Sequence, residues 1–145
     1  MTALTAGRNT PQIAGDIRNG LLAASTSAFA GSLLMRNAAG FVVKGATATG
    51  LVGIGRAEDA GDNAAGSAGD AAVLYRPGVF RFANSAGADE ITVAEIGDVV
   101  FAVDDQTVAK TDATASRSPA GFVDGVDALG VWVRFDEVLT KIATA

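Results

Sequence analysis

Clustered acidic residues are the first candidates for chemistry in this chain. Asp104 and Asp105 are adjacent, and Asp124 and Asp127 follow one or two predicted strands later. Such carboxylates can bind Ca²⁺ or act as an acid and base pair. However, adjacent residues of a strand point to opposite faces, and the spacing matches no calcium-binding loop. We therefore favour turn carboxylates, and predict no metal site and no catalytic residue.

The residue types that the chain lacks exclude several classes of chemistry. The 145 residues include no Cys and no His, which excludes disulfides, thiolate zinc sites and Ser-His-Asp triads. The stretch GLVGIG at 50–55 has the start of a dinucleotide-loop spacing, but Glu58 stands at the third small position and no long helix follows. We expect these glycines to serve a tightly curved strand. The sequence thus predicts a protein that is not an enzyme and binds no cofactor.

Arginine and aromatic residues are interleaved in the second half of the chain, at Tyr75, Arg76, Phe80, Arg81, Phe82, Trp132 and Arg134. Such a combination can bind single-stranded nucleic acid, but the acidic surroundings argue against that partner. Tryptophan, tyrosine and arginine are also enriched in protein–protein contacts. We therefore predict that Phe82 and Trp132 lie at an interface between subunits of an oligomer.

Charge is distributed unevenly along the chain. The net charge of −5 divides into +4 for residues 1–57, with five basic residues and one acid, and −9 for residues 58–145, with six basic residues and fifteen acids. A basic segment joined to an acidic body is typical of an interaction segment, although a fold can equally interleave the two halves.

Residues 1–20 predict an extended N-terminal arm. They combine several glycines and Pro11 with few large apolar residues, so they cannot bury enough surface to fold alone. A frayed terminus without a role is the alternative interpretation. The segment has no export-signal pattern, and the apolar stretch at 21–35 is too short to span a bilayer. We expect a protein made in the cytosol, with no membrane partner.

The remainder predicts a mostly β domain at 21–135, followed by a C-terminal extension at 136–145. Short β-favouring runs alternate with small-residue turns, which is typical of a small β-barrel or sandwich. Thr92–Glu95 fits the capping box of one short helix, 21–29 is a weaker helix candidate, and 58–70 predicts a surface loop because it has no large apolar residue. The predicted strands are Ser32–Arg36, Phe41–Lys44, Leu51–Ala57, Ala71–Arg76, Val79–Ala83, Val99–Val103, Thr107–Lys110, Gly121–Val126 and Gly130–Phe135.

Several segments within residues 40–135 resemble a known family. They are GATATGL at 45–51, GRAE at 55–58, GVFRFANSAG at 78–87, DDQTVAKTD at 104–112 and VWVRF at 131–135. The segment at 104–112 is the most specific, because strand and turn preferences alone would not dictate it. Together they resemble the capsid decoration, or cement, proteins of Mu-like tailed phages and prophages. The last ten residues extend beyond the usual end of that family.

The resemblance implies a fold, a partner and a location. It implies a β-tulip-like domain that binds the outer surface of the expanded phage head as a homotrimer and bridges subunits of the major capsid protein. The protein would be made in the host bacterial cytoplasm and carried on the virion. Beside this, we expect the basic arm to contact the capsid through a short segment, namely Arg8, Asn9, Thr10, Pro11 and Ile13.

Two other classes of function remain open at this stage. Another virion structural role, in the tail, the baseplate or host adhesion, would use the same β architecture. A cell-wall hydrolase that works through carboxylates, with Asp104 or Asp124 in its site, is the more distant alternative.

Overall fold

The computed structural model describes residues 2–13 and 15–145. Within these ranges the chain forms twelve β-strands, two 3₁₀ turns and one α-helix, so the predicted mostly β class is confirmed. The strands are β1 (Arg18–Leu21), β2 (Thr26–Ala28), β3 (Leu33–Arg36), β4 (Val42–Lys44), β5 (Val52–Ala57), β6 (Gly61–Asn63), β7 (Ala72–Arg76), β8 (Val79–Asn84), β9 (Val99–Ala102), β10 (Thr107–Ala109), β11 (Pro119–Asp127) and β12 (Gly130–Arg134), and the helix is α1 (Glu137–Ala143).

The strands form two main sheets that lie side by side. The first has the order β1-β7-β5-β3-β4, and its end strands approach each other through a bridge between Leu22 and Val42. The second is a closed barrel with the order β10-β8-β12-β11-β9. Strands β2 and β6 form a separate small pair. Closure satisfies the edge hydrogen bonds of the second sheet, because a closed barrel has no unpaired edge.

Each main sheet has its own apolar core, and β3 contributes to both. Leu34 is buried with Ile54 and other residues of the first sheet. Leu33 and Met35 are buried in the barrel core, because successive side chains of a strand point to opposite faces. The strand is therefore covered by apolar side chains on both faces, which explains its uninterrupted run of large apolar residues.

Glycines allow the two sheets to approach closely. A Cβ atom at Gly53 in β5 would overlap the backbone carbonyl of Ala120 in β11, between the two sheets, whereas one at Gly121 would overlap the carbonyl oxygen of Arg134 in β12, within the barrel. The β3–β5 register shifts beside Gly53, and Gly55 has a φ of 153°, which marks a β-bulge that bends the strand. The GLVGIG stretch thus lies in a bent strand, as predicted.

The predicted strands and turns are largely confirmed. Each of the nine predicted strands overlaps an observed one. Asn37 Oδ1 accepts the backbone N–H groups of Ala39 and Phe41, and Asp127 Oδ1 accepts those of Leu129 and Gly130, so each of these side chains closes a hairpin turn. The capping box at Thr92 is present, although it closes a 3₁₀ turn rather than a longer helix.

One boundary and two predicted element types differ from the structure. The predicted arm is shorter than 1–20, because residues 18–20 belong to β1 and pair with β7. The helix considered for 21–29 does not form, since β2 pairs with β6 there. The predicted surface loop at 58–70 contains β6, whose Asn63 is buried and donates its amide N–H to Ala23 O (2.9 Å) and Ser67 O (2.9 Å). A polar side chain anchors this segment, which is why a search for apolar residues missed it.

We predict that Gly53→Ala destabilises the fold by about 2–3 kcal/mol, because backbone must move to admit the new methyl group. Gly125→Ala is the matched control in β11, since its Cβ would meet only the Trp132 ring at 3.9 Å. Urea unfolding followed by circular dichroism measures both variants. Equal stability of the two variants would show that the sheets do not need this close approach.

Candidate functional site

The arm lies outside the folded body. Residues 2–13 form no strand or helix, and every one of them is exposed. The predicted capsid-contact residues are all in this segment, and the apolar Ile13 is 83% exposed. An apolar side chain held in water together with unpaired backbone groups is what a binding segment presents to a partner.

The base of the arm is fixed to the body by β1. This strand is the end strand of the first sheet and pairs along its length only with β7. Gly20 faces inward, where a Cβ would press against Val42 and the ring of Tyr75. The arm therefore leaves the molecule from a firmly packed strand at a sheet edge.

Trp132 lies on the outer face of the barrel in a defined side-chain cluster. It is 38% exposed, and the antiparallel register places it beside Arg81. The Arg81 guanidinium carbon lies 5.4 Å from the centroid of the Trp132 ring, within the range of a cation–π contact. The indole Nε1–H donates to Asp127 Oδ2 (2.9 Å), and Arg81 Nη1 lies 3.5 Å from the same oxygen. We call Arg81, Asp127 and Trp132 the tryptophan cluster.

Hydrogen bonds stabilise the ionised form of Asp127 in this cluster. The indole N–H of Trp132, then the backbone N–H of Leu129 and the nearby Arg81 charge, lower the pKa of the Asp127 carboxyl below its ordinary value. The aromatic ring is thus held by a charged partner on one edge and a cation beside it. The Trp132 ring therefore loses less conformational entropy when it binds a partner, because its position is already restricted.

The structure corrects the prediction for Phe82. This residue is only 6% exposed and belongs to the barrel core, where its ring meets that of Phe135 edge-on with centroids 5.8 Å apart. A side chain so buried has little surface to give to another subunit. Tyr75 lies in the core of the other sheet, so the interleaved aromatic residues do not form one surface.

Asp104 and Asp127 act in turns, as favoured from the sequence, whereas Asp124 is exposed within strand β11. Asp104 Oδ1 accepts the backbone N–H of Gln106, and Asp105 Oδ2 lies 3.5 Å from the Ser32 hydroxyl that donates to it. Asp127 closes its own hairpin. Among residues 2–13 and 15–145, no three side chains of His, Cys, Asp or Glu gather in a metal-binding arrangement.

One strained turn was not predicted from the sequence. Ala113, Thr114 and Ala115 all have positive φ angles, of 50°, 60° and 61°, a conformation that costs energy for residues other than glycine. Asp89 holds both ends of the turn, by accepting a hydrogen bond from Thr111 and by pairing with Arg117 at 3.2 Å. These contacts, that of Thr111 first, lower the pKa of Asp89. No glycine or asparagine marks this turn in the sequence.

The turn lines a groove of about 680 Å³. Arg36, Arg117 and Lys141 contribute basic side chains to it. However, Arg36 is paired with Glu137 at 2.8 Å and Arg117 with Asp89. Two of the three positive charges are thus already neutralised, and the groove is not an anion site.

Comparison of the chain with protein-family models, with curated proteins and with solved structures finds no match. In the part of the chain that the structure describes, no helix has the length and apolar character to cross a membrane.

We predict that Trp132 fluorescence reports the titration of Asp127, since this is the single tryptophan. The folded-state pKa is lowered, so the stability that Asp127 contributes is present above the ordinary aspartate pKa and is lost as the pH falls through the lowered value. Fluorescence measured from pH 7 downward should change with a midpoint below the ordinary value of 3.8. Asp127→Asn should abolish the change. A midpoint at or above 3.8 would contradict the cluster geometry.

Proposed function

We propose that this chain is a capsid decoration protein of a tailed phage. It binds the outer surface of the expanded head, bridges subunits of the major capsid protein and so stabilises the shell. The exposed arm of residues 2–13, attached to a sheet-edge strand of a small β domain, is the observation that carries the proposal. The resemblance of residues 40–135 to decoration proteins supplies the partner.

The arm suits a contact with a large protein surface. It offers unpaired backbone groups that can add a strand to a capsid sheet, apolar Ile13 for a pocket and Arg8 for an acidic patch. A short segment of this kind binds weakly because ordering it costs entropy. Three arms on one trimer overcome this weakness, since binding of the first arm raises the effective concentration of the others.

The tryptophan cluster is the proposed contact within the homotrimer. Trp132 offers a large ring whose position is held by Asp127 and Arg81, and tryptophan and arginine dominate the energetics of many interfaces. A trimer formed in this way would carry three arms toward the capsid. Neighbouring capsid subunits held by one trimer resist separation under the pressure of packaged DNA.

The proposed role is contact rather than catalysis. The partners are the major capsid protein and copies of this chain, without a cofactor, a nucleic acid or a membrane. The protein would be made in the bacterial cytoplasm and would finish on the virion. A role in the tail, the baseplate or host adhesion is the second candidate, because an exposed aromatic cluster on a β-barrel also suits those surfaces.

We predict that the chain occurs on heads and that the arm is needed to bind them. Particles from the bacterium that carries this gene are separated into heads and tails, and the chain is quantified in each fraction. Purified protein is then added to heads that lack it, and co-sedimentation is measured. Deleting residues 2–17, which leaves β1 intact, should lower head binding at least about 100-fold, because three weak contacts are lost together.

Arg8→Ala with Ile13→Ala tests the same contact without shortening the chain, and Leu4→Ala is the control at a second exposed apolar position of the arm, at 70%. Circular dichroism confirms that each variant is folded. Recovery of the chain on tails alone supports the second candidate and overturns the decoration role. Full binding by the deletion variant overturns the role of the arm.

We predict that Trp132→Ala dissociates the trimer. Removal of a central tryptophan typically costs more than about 2 kcal/mol, or about 30-fold in the dissociation constant. Light scattering after size exclusion measures the mass. Leu74→Ala is the control, since Leu74 is similarly exposed, at 42%, but lies on the other sheet. An unchanged mass for Trp132→Ala would exclude the tryptophan cluster as the trimer contact.

A further inference from the structure

Helix α1 has its apolar residues on the outside. Val138 and Ile142 are each 69% exposed and Leu139 is 44% exposed, whereas the buried residue of the helix is Thr140. A surface helix normally turns its apolar stripe to the core and its polar residues to water. The reversed arrangement indicates that the outer stripe of α1 is made for a contact.

Polar contacts fix the helix in this orientation. The Asp136 side chain caps the first turn by accepting the Leu139 N–H (2.9 Å). Glu137 pairs with Arg36 at 2.8 Å, and the helix packs on a floor formed by β5 and β11, with Thr140 as its buried residue. Rotation that buried the apolar stripe would break the ion pair and bring larger side chains against a floor that admits a small residue. A seven-residue helix is too short to be stable alone, so these contacts hold it.

The apolar surface continues beyond the helix on both sides. Leu139 shares a groove of about 330 Å³ with Ile96 and Phe122, and Ile96 is 50% exposed. Val138 shares a groove of about 240 Å³ with Pro77. The exposed apolar area is roughly 400 Å², which lies in the size range that is often functional on a monomer.

The charges of α1 favour a copy of the same helix as the occupant. Asp136 supplies the negative charge at its N-terminal end, since Glu137 is already paired with Arg36, and Lys141 lies near its C-terminal end. Two antiparallel copies would place each Lys141 near the acidic end of the other, whereas two parallel copies would bring like charges together. The stripe is also self-complementary, because Val138 and Ile142 lie four residues apart on one face.

We propose that α1 forms a two-fold contact with a second copy of this chain. The two helices pack antiparallel, so that Val138 of one copy faces Ile142 of the other. An isologous contact of this kind uses the same patch on both copies. It is separate from the tryptophan cluster on β12 and does not depend on capsid binding.

The size of the patch sets the strength of the contact. Roughly 400 Å² per copy is about half of what a stable complex buries on each partner. The contact is therefore weak in solution, with a dissociation constant in the micromolar range or above, and becomes effective where copies are held close together.

Cysteine cross-linking tests this contact directly, because the chain has no cysteine of its own. Val138→Cys and Ile142→Cys are prepared as separate full-length variants at about 100 µM, a concentration suited to a weak contact. Each variant alone and an equal mixture are oxidised with oxidised glutathione, and two-chain products are followed on non-reducing gels. The mixture should cross-link several-fold faster than either variant alone, since residues 138 and 142 face each other.

Phe29→Cys is the control for random collision, because Phe29 is 79% exposed and directly follows β2, away from α1 and from the tryptophan cluster. Adding Lys141→Glu to both cysteine variants should slow the cross-linking, because it places an acid near the acidic end of the other helix. Trp132 fluorescence confirms that the variants are folded. The measurement uses isolated protein. Absence of cross-linking would therefore not contradict the decoration role, and absence of head binding would not contradict the α1 contact.

Three results would overturn the proposal. Cross-linking of the mixture at the Phe29→Cys rate would show that α1 does not pair with itself. Faster reaction of Val138→Cys alone would show a parallel arrangement. Protection of the residue 138 thiol in a monomer, lost on deletion of residues 2–17, would identify the chain's own arm as the occupant.

Discussion

The close approach of the β5 and β11 backbones is the constraint on which the rest of the molecule depends. It is possible because residue 53 is a glycine that lies against the carbonyl of Ala120. This approach lets β3 serve two cores at once and brings the bulge of β5 beside the barrel. It also forms the floor for α1, where Thr140 is the small buried residue. The position of the α1 surface follows from this packing.

The fold was predictable from the sequence where alternation of apolar residues or turn chemistry expressed it. Val131 and Val133 are buried while Trp132 is exposed, as their alternation indicates. Asn37 and Asp127 closed their hairpins by hydrogen bonds to nearby N–H groups. The division of the strands into two separate sheets was not predictable, because long-range packing decides which of many short strands pair with each other. Strand β6 was missed since a buried amide, not an apolar side chain, anchors it.

The exposure of the candidate contact residues was predictable from the sequence only in part, for a physical reason. The arm was predictable from its composition, because a segment with few apolar residues cannot join a core. Phe82 and Trp132 were both aromatic residues of strands, and the sequence did not show which faces of β8 and β12 share the core. The register that pairs Trp132 with Arg81 places Phe82 inside. Helix α1 was missed because its seven residues are too few for an apolar stripe that persists over three turns.

Because β3 contributes to both apolar cores, it determines how the molecule unfolds. Leu33 and Met35 belong to one core and Leu34 to the other, so loss of either core exposes the strand that the second core requires. The two sheets should therefore melt together rather than in sequence, as one cooperative unit. Amide protons of β3 would then exchange with solvent only through global unfolding. Mechanical load applied at the arm would reach the whole body through this shared strand.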